Sequence, residues 1–341
     1  MKHDIAMEAT IRAILMPGKG ILAADESTGT IEKRFKSINV ESTETNRRDY
    51  REILFTTPGM ADAISGVILF EETLFQKSRN GMPFVKILTD AGVVPGIKVD
   101  KGTVPLTEHP NELTTQGLNG LDERLKTYKA AGACFAKWRA VITIAPEIPT
   151  DDCIRANADL LARYAAICQE NGLVPIVEPE ILMDGDHTIE ECAEATRRTL
   201  KTVFEELRAK KVSLRHMLLK PNMVLPGKKA TVQATPEEIA SATLQLFRKV
   251  IPAEMPGIAF LSGGQSDEEA TANLNAMNAH GSQPWILTFS YGRALQAPAL
   301  KAWAGKSENI NAAQQVFLKR ARLNGKAQLG KYNPDMERTY N

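Results

Sequence analysis

The sequence contains few of the features that mark metal or redox proteins. Its 341 residues include four cysteines, Cys134, Cys153, Cys168 and Cys192, and none of them forms a C-x-x-C pair. This spacing argues against zinc-ribbon and thiol–disulfide motifs and predicts four reduced thiols. The five histidines are scattered, without an H-x-x-x-H or H-E-x-x-H pattern. We therefore expect neither a catalytic metal nor a cofactor.

An excess of charge of either sign is also missing. The chain has 42 Lys and Arg against 41 Asp and Glu, which gives a formal net charge of +1. A general binder of nucleic acid or of an acidic membrane needs a basic surplus, so neither partner is expected. The first residues (MKHDIAMEAT) show no apolar signal-peptide core. A long uncharged stretch, residues 270–292, is too rich in Asn, Gly and Ser to predict a membrane-spanning helix.

Eight short apolar segments recur along the chain. Each has about 4–8 residues and is rich in Ile, Val, Leu and Phe, which is typical of a strand buried on both faces. The segments begin near Ile21, Gly66, Gly96, Ala133, Val174, Met217, Ile258 and Trp285.

Helical patterns lie between these segments. We predict helices over residues 111–132, over 153–172 ending at Gly172, and over 235–250 with Thr235 as the N-cap. Alternation of strands and helices indicates a parallel sheet. Eight such units predict an α/β fold, a (β/α)₈ TIM barrel in one domain. A doubly wound open sheet is the alternative.

The end of the chain has a different composition. Residues 324–341 are rich in Gly, Asn and Lys, so we expect a barrel domain over residues 1–323 followed by a mobile C-terminal tail.

Seven of the eight predicted strands end in polar residues. In a barrel of this type, the carboxyl ends of the strands meet at one mouth, where catalytic groups lie. Charged groups converging there are costly to bury unless they are paired or used. The residues are Asp25, Glu26, Ser27, Lys98, Asp100, Lys137, Arg139, Glu178, Glu180, Lys220, Ser262, Gly263, Gly264, Ser290, Tyr291, Gly292 and Arg293.

Lys220 has the most specific chemistry among them. A lysine becomes a nucleophile when it is desolvated or lies near another cation, and Lys137 could supply that cation. A neutral Lys220 could attack a ketone and form an iminium, which stabilises an adjacent carbanion without a metal. Glu178 and Glu180 are candidate acid–base groups for the dehydration, and Asp25 could move a proton on a substrate hydroxyl.

Two glycine-containing strand ends indicate a phosphate site. The backbone N–H groups of Ser262-Gly263-Gly264 could form an anion nest, and Arg293 in the SYGR stretch could add a bidentate contact. Barrels often bind phosphate after strands seven and eight. We therefore expect a phosphorylated small molecule as the substrate.

Several stretches together resemble the class I fructose-bisphosphate aldolases. The resemblance runs from about residue 17 to residue 332. It implies a (β/α)₈ barrel, a homotetramer in the cytosol, and reversible cleavage of fructose 1,6-bisphosphate to dihydroxyacetone phosphate and glyceraldehyde 3-phosphate. The stretches are GILAADESTGT, NRRDYRE, GVILFEETLFQK, GIKVDKG, FAKWRAVI, VPIVEPEIL, LLKPNMV, FLSGGQS and LTFSYGRALQ.

The resemblance also implies roles for individual residues. Lys220 corresponds to the Schiff-base lysine, Glu178 to the acid–base carboxylate assisted by Glu180, and Asp25 and Lys137 to further catalytic residues. The ketose-phosphate site is implied for Ser262, Gly263, Gly264, Ser290, Gly292 and Arg293. Contacts to the other phosphate half are implied for Ser27, Thr30, Arg34, Lys98 and Arg139.

Two positions depart from the family pattern. Thr30 stands where many members have serine, which preserves the hydroxyl. Eukaryotic members often end in a tyrosine that helps to protonate the enamine, whereas here Tyr340 is followed by Asn341. Tyr340 is therefore a candidate for this role.

Three alternatives to this function stay open at this stage. One is another Schiff-base sugar-phosphate aldolase. A metal-dependent aldolase is disfavoured by the scattered histidines. A non-catalytic binding protein on a barrel is disfavoured by the set of Lys220, Lys137, Glu178 and Asp25.

Overall fold

The chain folds into a closed barrel of eight parallel strands surrounded by helices. The computed structural model describes residues 3–339. The strands there are β1 (Gly20–Ala24), β2 (Ile64–Leu69), β3 (Val94–Lys98), β4 (Thr103–Leu106), β5 (His109–Thr115), β6 (Phe135–Ile142), β7 (Val174–Ile181), β8 (Leu218–Leu219), β9 (Gly257–Phe260) and β10 (Ile286–Tyr291). Around the barrel the order is β1-β10-β9-β8-β7-β6-β3-β2, while β4 and β5 form a separate antiparallel pair.

The helices mostly follow the strands in sequence and cover the outside of the barrel. They are α1 (Asp4–Ile14), α2 (Thr28–Lys36), α3 (Glu44–Phe55), α4 (Glu71–Phe75), α5 (Phe84–Asp90), α6 (Leu121–Ala130), α7 (Asp151–Glu170), α8 (Ile189–Ala209), α9 (Pro236–Val250), α10 (Asp267–Ala279), α11 (Arg293–Trp303), α12 (Ile310–Gln328) and α13 (Met336–Thr339). Among residues 3–339, no helix combines the length and the apolar character needed to cross a membrane.

The barrel predicted from the eight apolar segments is confirmed. Every one of these segments contributes a barrel strand, and all residues of β1, β2 and β7 are buried. Such complete burial explains why the segments are mostly apolar rather than alternating between apolar and polar residues. The parallel register aligns Lys98 of β3 with Lys137 of β6, and Arg139 of β6 with Glu178 of β7.

Two of the predicted helices form, although α7 begins at Asp151, two residues earlier than predicted. In α7, the Thr150 hydroxyl accepts a hydrogen bond from the Cys153 N–H, and Gly172 follows with a φ of 68°. In α9, Thr235 and Glu238 form a capping box, and Pro236 occupies the first helical position. Local capping chemistry therefore fixes these boundaries.

The helix predicted over residues 111–132 is wrong in its first half. That region instead contains most of β5, and the helix α6 begins only at Leu121. The β-branched Thr114 and Thr115 favour the extended chain. Gly117 and Gly120 then adopt φ angles of 133° and 66°, which interrupt a helix.

The predicted domain boundary at Leu323 falls inside a packed helix. α12 continues past this residue, and the side chains of Leu323 and Ala327 are fully buried. These two residues are four apart and so lie on one face of the helix, a short apolar repeat inside a polar stretch. α12 therefore extends to Gln328, five residues into the predicted tail of residues 324–341.

The residues after α12 contact the barrel domain as well. Tyr332 is buried, and its hydroxyl donates to a Glu337 carboxylate oxygen at 3.0 Å. The same oxygen accepts from Arg320 of α12 at 2.5 Å. Tyr340, the candidate proton donor, lies outside the described residues.

Replacing Gly20 of β1 by alanine will destabilise the barrel. A Cβ atom at this position would lie 2.6 Å from the fully buried ring of Phe289, which cannot move away without disturbing the core. Overpacking of this kind lowers the free energy of unfolding by about 1–3 kcal/mol. Denaturant unfolding of the Gly20→Ala variant measures the loss.

Gly29→Ala is the matched control for this experiment. A Cβ atom at Gly29 in α2 would meet nothing within 4 Å. Alanine in a helix is about 1 kcal/mol more favourable than glycine, so this variant should be as stable as the parent or slightly more so. Equal stability of the two variants would contradict the packing argument.

Candidate active site

A cavity of about 950 Å³ opens at the carboxyl ends of the barrel strands. It is lined by every predicted site residue that the structure describes. These are Asp25, Ser27, Thr30, Arg34, Lys98, Lys137, Arg139, Glu178, Glu180, Lys220, Ser262, Gly263, Gly264, Ser290, Gly292 and Arg293.

The strand register places Lys220 beside Glu178. Lys220 follows β8 directly, and its N–H donates to the Val177 carbonyl at 2.8 Å. The backbone hydrogen bonds between β7 and β8 therefore continue as far as Lys220. Lys220 and Glu178 are 4% and 3% exposed, so each charge must find its partner within the protein.

The Glu178 carboxylate contacts two lysines. One of its oxygens lies 3.0 Å from Nζ of Lys220, and the other lies 3.3 Å from Nζ of Lys137. From the sequence, Lys137 is expected to act on Lys220 as a neighbouring cation. The structure places one carboxylate in contact with both, so a proton leaving Lys220 has an acceptor at hydrogen-bonding distance.

Lys137 and Asp25 hold each other in their charged forms. Their Nζ and Oδ2 atoms are 2.8 Å apart. Burial works to raise the pKa of Asp25, but Lys137 and other nearby cations outweigh it and keep that pKa well below its usual range. Burial likewise works to lower the pKa of Lys137, but the surrounding carboxylates outweigh it and raise that pKa. Asp25 and Lys137 are therefore both charged at neutral pH in the free site.

Glu180 differs from these carboxylates in its electrostatic setting. Burial raises its pKa, Arg139 opposes the rise, and the charge of Glu178 adds to it. Nη1 of Arg139 donates to Oε2 of Glu180 at 3.0 Å. The setting of Glu180 therefore favours its protonated form more than that of an exposed glutamate does.

The turn after β9 depends on its two glycines. A Cβ atom on Gly263 would lie 2.8 Å from a Glu180 oxygen, and Gly264 adopts a φ of 82°. The turn is closed by the Gln265 N–H, which donates to the Ser262 carbonyl at 3.2 Å. Small residues here let the backbone approach the cavity closely, as an anion nest requires.

Polar groups from the last strand face the same side of the cavity. The Ser290 hydroxyl is buried and has no hydrogen-bond partner among residues 3–339. Gly292 and Arg293 begin α11, whose first N–H groups carry the positive end of the helix dipole. The exposed Arg293 is steered by a 3.2 Å hydrogen bond from Nη2 to the Gln265 carbonyl. These donors can bind an anion together.

A buried network behind the cavity was missed by the sequence analysis. Glu26 is paired with both Arg34 and Arg51 and accepts a hydrogen bond from Gln296 Nε2 at 2.8 Å. Gln296 also donates to the Ala23 carbonyl at 2.7 Å. Glu26 stood next to Asp25 at a strand end, and Arg51 stood in the NRRDYRE stretch, so the residues were visible but their pairing was not.

The site also contains residues from β2 and from the end of β3. Phe70 and Glu71 follow β2 and line the cavity, so the one strand without a predicted polar end also contributes to it. Asp100 follows β3 and is paired with Lys98 at 2.6 Å. Asp100 was predicted among the polar residues at the end of this strand, and it lines the cavity.

The acidic and thiol groups of the described chain do not gather as metal ligands. Within residues 3–339, no group of three or more His, Cys, Asp and Glu side chains is arranged to hold a metal ion. The carboxylates of the cavity instead contact lysines and arginines.

The closed parallel barrel, with lysines and carboxylates paired in the cavity at its mouth, defines a (β/α)₈-barrel protein. The sequence model of a family described as "Fructose-bisphosphate aldolase class-I" matches residues 6–341. The chain therefore belongs to the class I fructose-bisphosphate aldolase family.

Individual relatives agree with this assignment. The chain is 59% identical to fructose-bisphosphate aldolase 4, cytosolic, of Arabidopsis thaliana, over 94% of this chain and 82% of that one. It is 54% identical to a probable class 1 aldolase of Xanthomonas campestris, over 95% and 97%. The solved structure of the Plasmodium falciparum aldolase, in complex with TRAP and an inhibitor, superposes with a TM-score of 0.95 at 52% identity, covering 96% of this chain and 95% of that one.

Replacing Arg51 by methionine will destabilise the protein. Arg51 is 3% exposed and pairs with the buried Glu26 carboxylate. Without Arg51, the negative charge of Glu26 is only partly balanced. Breaking a buried pair in this way costs about 3 kcal/mol or more. Urea unfolding at neutral pH measures the loss in the free energy of unfolding. Adding Glu26→Gln to Arg51→Met removes the unpaired charge and should restore a large part of that free energy.

This stabilisation depends on pH in a defined direction. Burial works to raise the pKa of Glu26, but Arg51 and Arg34 outweigh it and lower that pKa. The contribution is therefore present above the ordinary glutamate pKa of about 4.3 and is lost on further acidification. A difference between parent and Arg51→Met that grows as the pH falls would contradict this assignment.

Proposed function

We propose that this class I fructose-bisphosphate aldolase cleaves fructose 1,6-bisphosphate reversibly through a Schiff base on Lys220. The contact between Lys220 and Glu178 is the observation that carries the proposal. A buried ammonium next to a carboxylate can lose its proton to that carboxylate, which frees the amine as a nucleophile. The products are dihydroxyacetone phosphate and glyceraldehyde 3-phosphate.

Formation of the Schiff base uses Lys220 and the two glutamates. The amine attacks the ketone carbon, and Glu178 takes the ammonium proton. The carbinolamine hydroxyl then leaves as water with a proton returned by Glu178, assisted by Glu180. The resulting iminium carries the positive charge that the next step needs.

Carbon–carbon cleavage uses the carboxylate of Asp25. As an ionised group, it accepts the proton of the substrate hydroxyl on the carbon that becomes the aldehyde. The bond next to the iminium breaks, and its electron pair moves into the iminium to give an enamine. Lys137, held charged beside Asp25, provides a fixed cation for the developing oxygen charge.

Protonation of the enamine and hydrolysis release the second product. Tyr340 remains the proposed proton donor, in keeping with the family resemblance. A few residues before Tyr340, the Tyr332 hydroxyl donates to Glu337, and Glu337 forms an ion pair with Arg320 of α12.

The two phosphates of the substrate are proposed to occupy opposite sides of the cavity. Ser262, Gly263, Gly264, Ser290, Gly292 and Arg293 bind one through backbone and side-chain donors. Ser27, Thr30, Arg34, Lys98 and Arg139 contact the other. The first set lies at the turn after β9 and the start of α11, where helix and nest dipoles favour an anion.

We further propose a cytoplasmic homotetramer. The names of the Arabidopsis and spinach relatives, a cytosolic aldolase and a cytoplasmic isozyme, support the location. The tetramer is supported by the family resemblance alone and stays a prediction.

Reduction with sodium borohydride in the presence of dihydroxyacetone phosphate will label Lys220. An iminium is reduced to a stable secondary amine, so peptide mass mapping identifies the nitrogen that formed it. We expect label on Lys220 and complete loss of activity. The Lys220→Met variant, treated in the same way, should take up no label.

Borohydride labelling, together with an assay of fructose 1,6-bisphosphate cleavage, separates the alternative functions. A non-catalytic barrel would bind the ligand without being labelled, and a different Schiff-base aldolase would be labelled but would fail to cleave fructose 1,6-bisphosphate. Label on Lys98 or Lys137 in place of Lys220 would overturn the assignment of the nucleophile.

The Arg293→Ala variant will raise KM for phosphorylated substrates more than it lowers kcat. A guanidinium–phosphate contact acts equally on the ground state and the transition state, so uniform binding is lost first. Losing a charge-assisted hydrogen bond costs about 1.5–3 kcal/mol, or about 10- to 150-fold in affinity. Steady-state kinetics with fructose 1,6-bisphosphate measure this change.

Arg248→Ala is a suitable control for the loss of one positive charge. Arg248 is exposed on α9 and donates to Gln283 at 3.0 Å, away from the cavity. Its KM should stay within twofold of the parent. An equal effect of Arg293→Ala on unphosphorylated fructose would show that Arg293 does not bind phosphate.

A further inference from the structure

We propose that Asp100 is a positioning residue that acts through Lys98 on recognition of the bisphosphate substrate. Asp100 follows β3, is 7% exposed and lines the cavity. It is absent from the set of site residues that the family resemblance implies. The inference rests on the proposed function, which places Lys98 at one phosphate.

A single residue, Asp100, holds the Lys98 ammonium at two points. Oδ1 of Asp100 lies 2.6 Å from Nζ of Lys98, and the Asp100 carbonyl accepts from the same Nζ at 2.7 Å. The other carboxylate oxygen accepts from the Arg139 N–H at 3.3 Å. The carboxylate therefore ties Lys98 of β3 to the backbone of the neighbouring strand β6.

The backbone on both sides of Asp100 is fixed. The Val99 N–H donates to the Lys137 carbonyl at 3.0 Å, and the Val99 carbonyl accepts from Arg124 at 3.0 Å. On the other side, the Lys101 N–H donates to Gln116 at 2.7 Å, at the base of the β4–β5 hairpin. A side chain between two anchored residues can direct a flexible lysine to one place.

Lys98 depends on Asp100 more than Lys137 does. Lys137 also contacts Asp100, at 3.7 Å, but it has closer carboxylates in Asp25 at 2.8 Å and Glu178 at 3.3 Å. For Lys98, the only ion pair formed with the described part of the chain is the one with Asp100. Without the Asp100 charge, the long Lys98 side chain loses its orientation, or turns toward the carboxylates that hold Lys137.

The Asp100→Asn variant tests this dependence, because asparagine keeps the shape and removes the charge. We expect kcat/KM for fructose 1,6-bisphosphate to fall at least tenfold while circular dichroism and the thermal midpoint stay close to the parent. Fructose 1-phosphate lacks the phosphate that Lys98 is proposed to contact, so kcat/KM for this substrate should fall less. The ratio of the two kcat/KM values should drop at least fivefold, which a merely structural role would not produce.

A double-mutant cycle identifies Lys98 as the residue through which Asp100 acts. If Asp100 positions Lys98, then adding Asp100→Asn to Lys98→Met should lower kcat/KM by less than threefold. Fully multiplicative losses would overturn the proposal, as would an Asp100→Asn variant within twofold of the parent. Should Asp100→Asn not fold, Asp100→Glu takes its place, because it keeps the charge but displaces the carboxylate by one methylene group.

Two controls separate this proposal from the general mechanism. Asp184→Asn removes an exposed carboxylate that lines the same cavity and pairs with Lys228 at 3.1 Å, and both substrates should stay within twofold. Borohydride labelling of Lys220 in the parent tests the proposed function itself. Labelling in the parent with no change in the substrate ratio for Asp100→Asn would overturn the role of Asp100 alone.

Discussion

The Glu178 carboxylate, which contacts Lys220 on one side and Lys137 on the other, organises the centre of this protein. All three side chains are almost completely buried, so none of their charges could remain there without partners. Asp25 adds the balancing charge for Lys137. The chemistry proposed for Lys220 follows from this arrangement, because its proton acceptor is also held by a second cation.

Parallel closure of the barrel makes that arrangement possible. The functional groups come from strands far apart in sequence, yet the carboxyl ends of all eight strands meet at one mouth. The register then decides which groups touch. Because Lys220 N–H continues the ladder to Val177, the lysine lies beside Glu178 rather than one residue further along the strand.

A second layer of paired charges supports the first. Glu26 gathers Arg34, Arg51 and Gln296 behind the mouth, and Asp100 holds Lys98 at its edge. In both cases a buried carboxylate orients a cation that faces the cavity. The side of the cavity that is proposed to bind phosphate is built differently. It is formed by backbone amides, two glycines and the Ser290 hydroxyl, which has no hydrogen-bond partner in the described chain.

The amino-acid sequence alone was enough to predict the barrel and most of the residues that line its cavity. Buried parallel strands are mostly apolar, so eight such segments, seven of them with polar ends, were sufficient to predict the fold and most of the residues at its mouth. Tertiary structure decided the pairing, since Arg51 and Gln296 reach Glu26 from distant helices, and no local pattern encodes that contact. It also decided that Leu323 and Ala327 pack against the barrel inside a stretch of polar composition. In these places, contacts between distant segments override local composition.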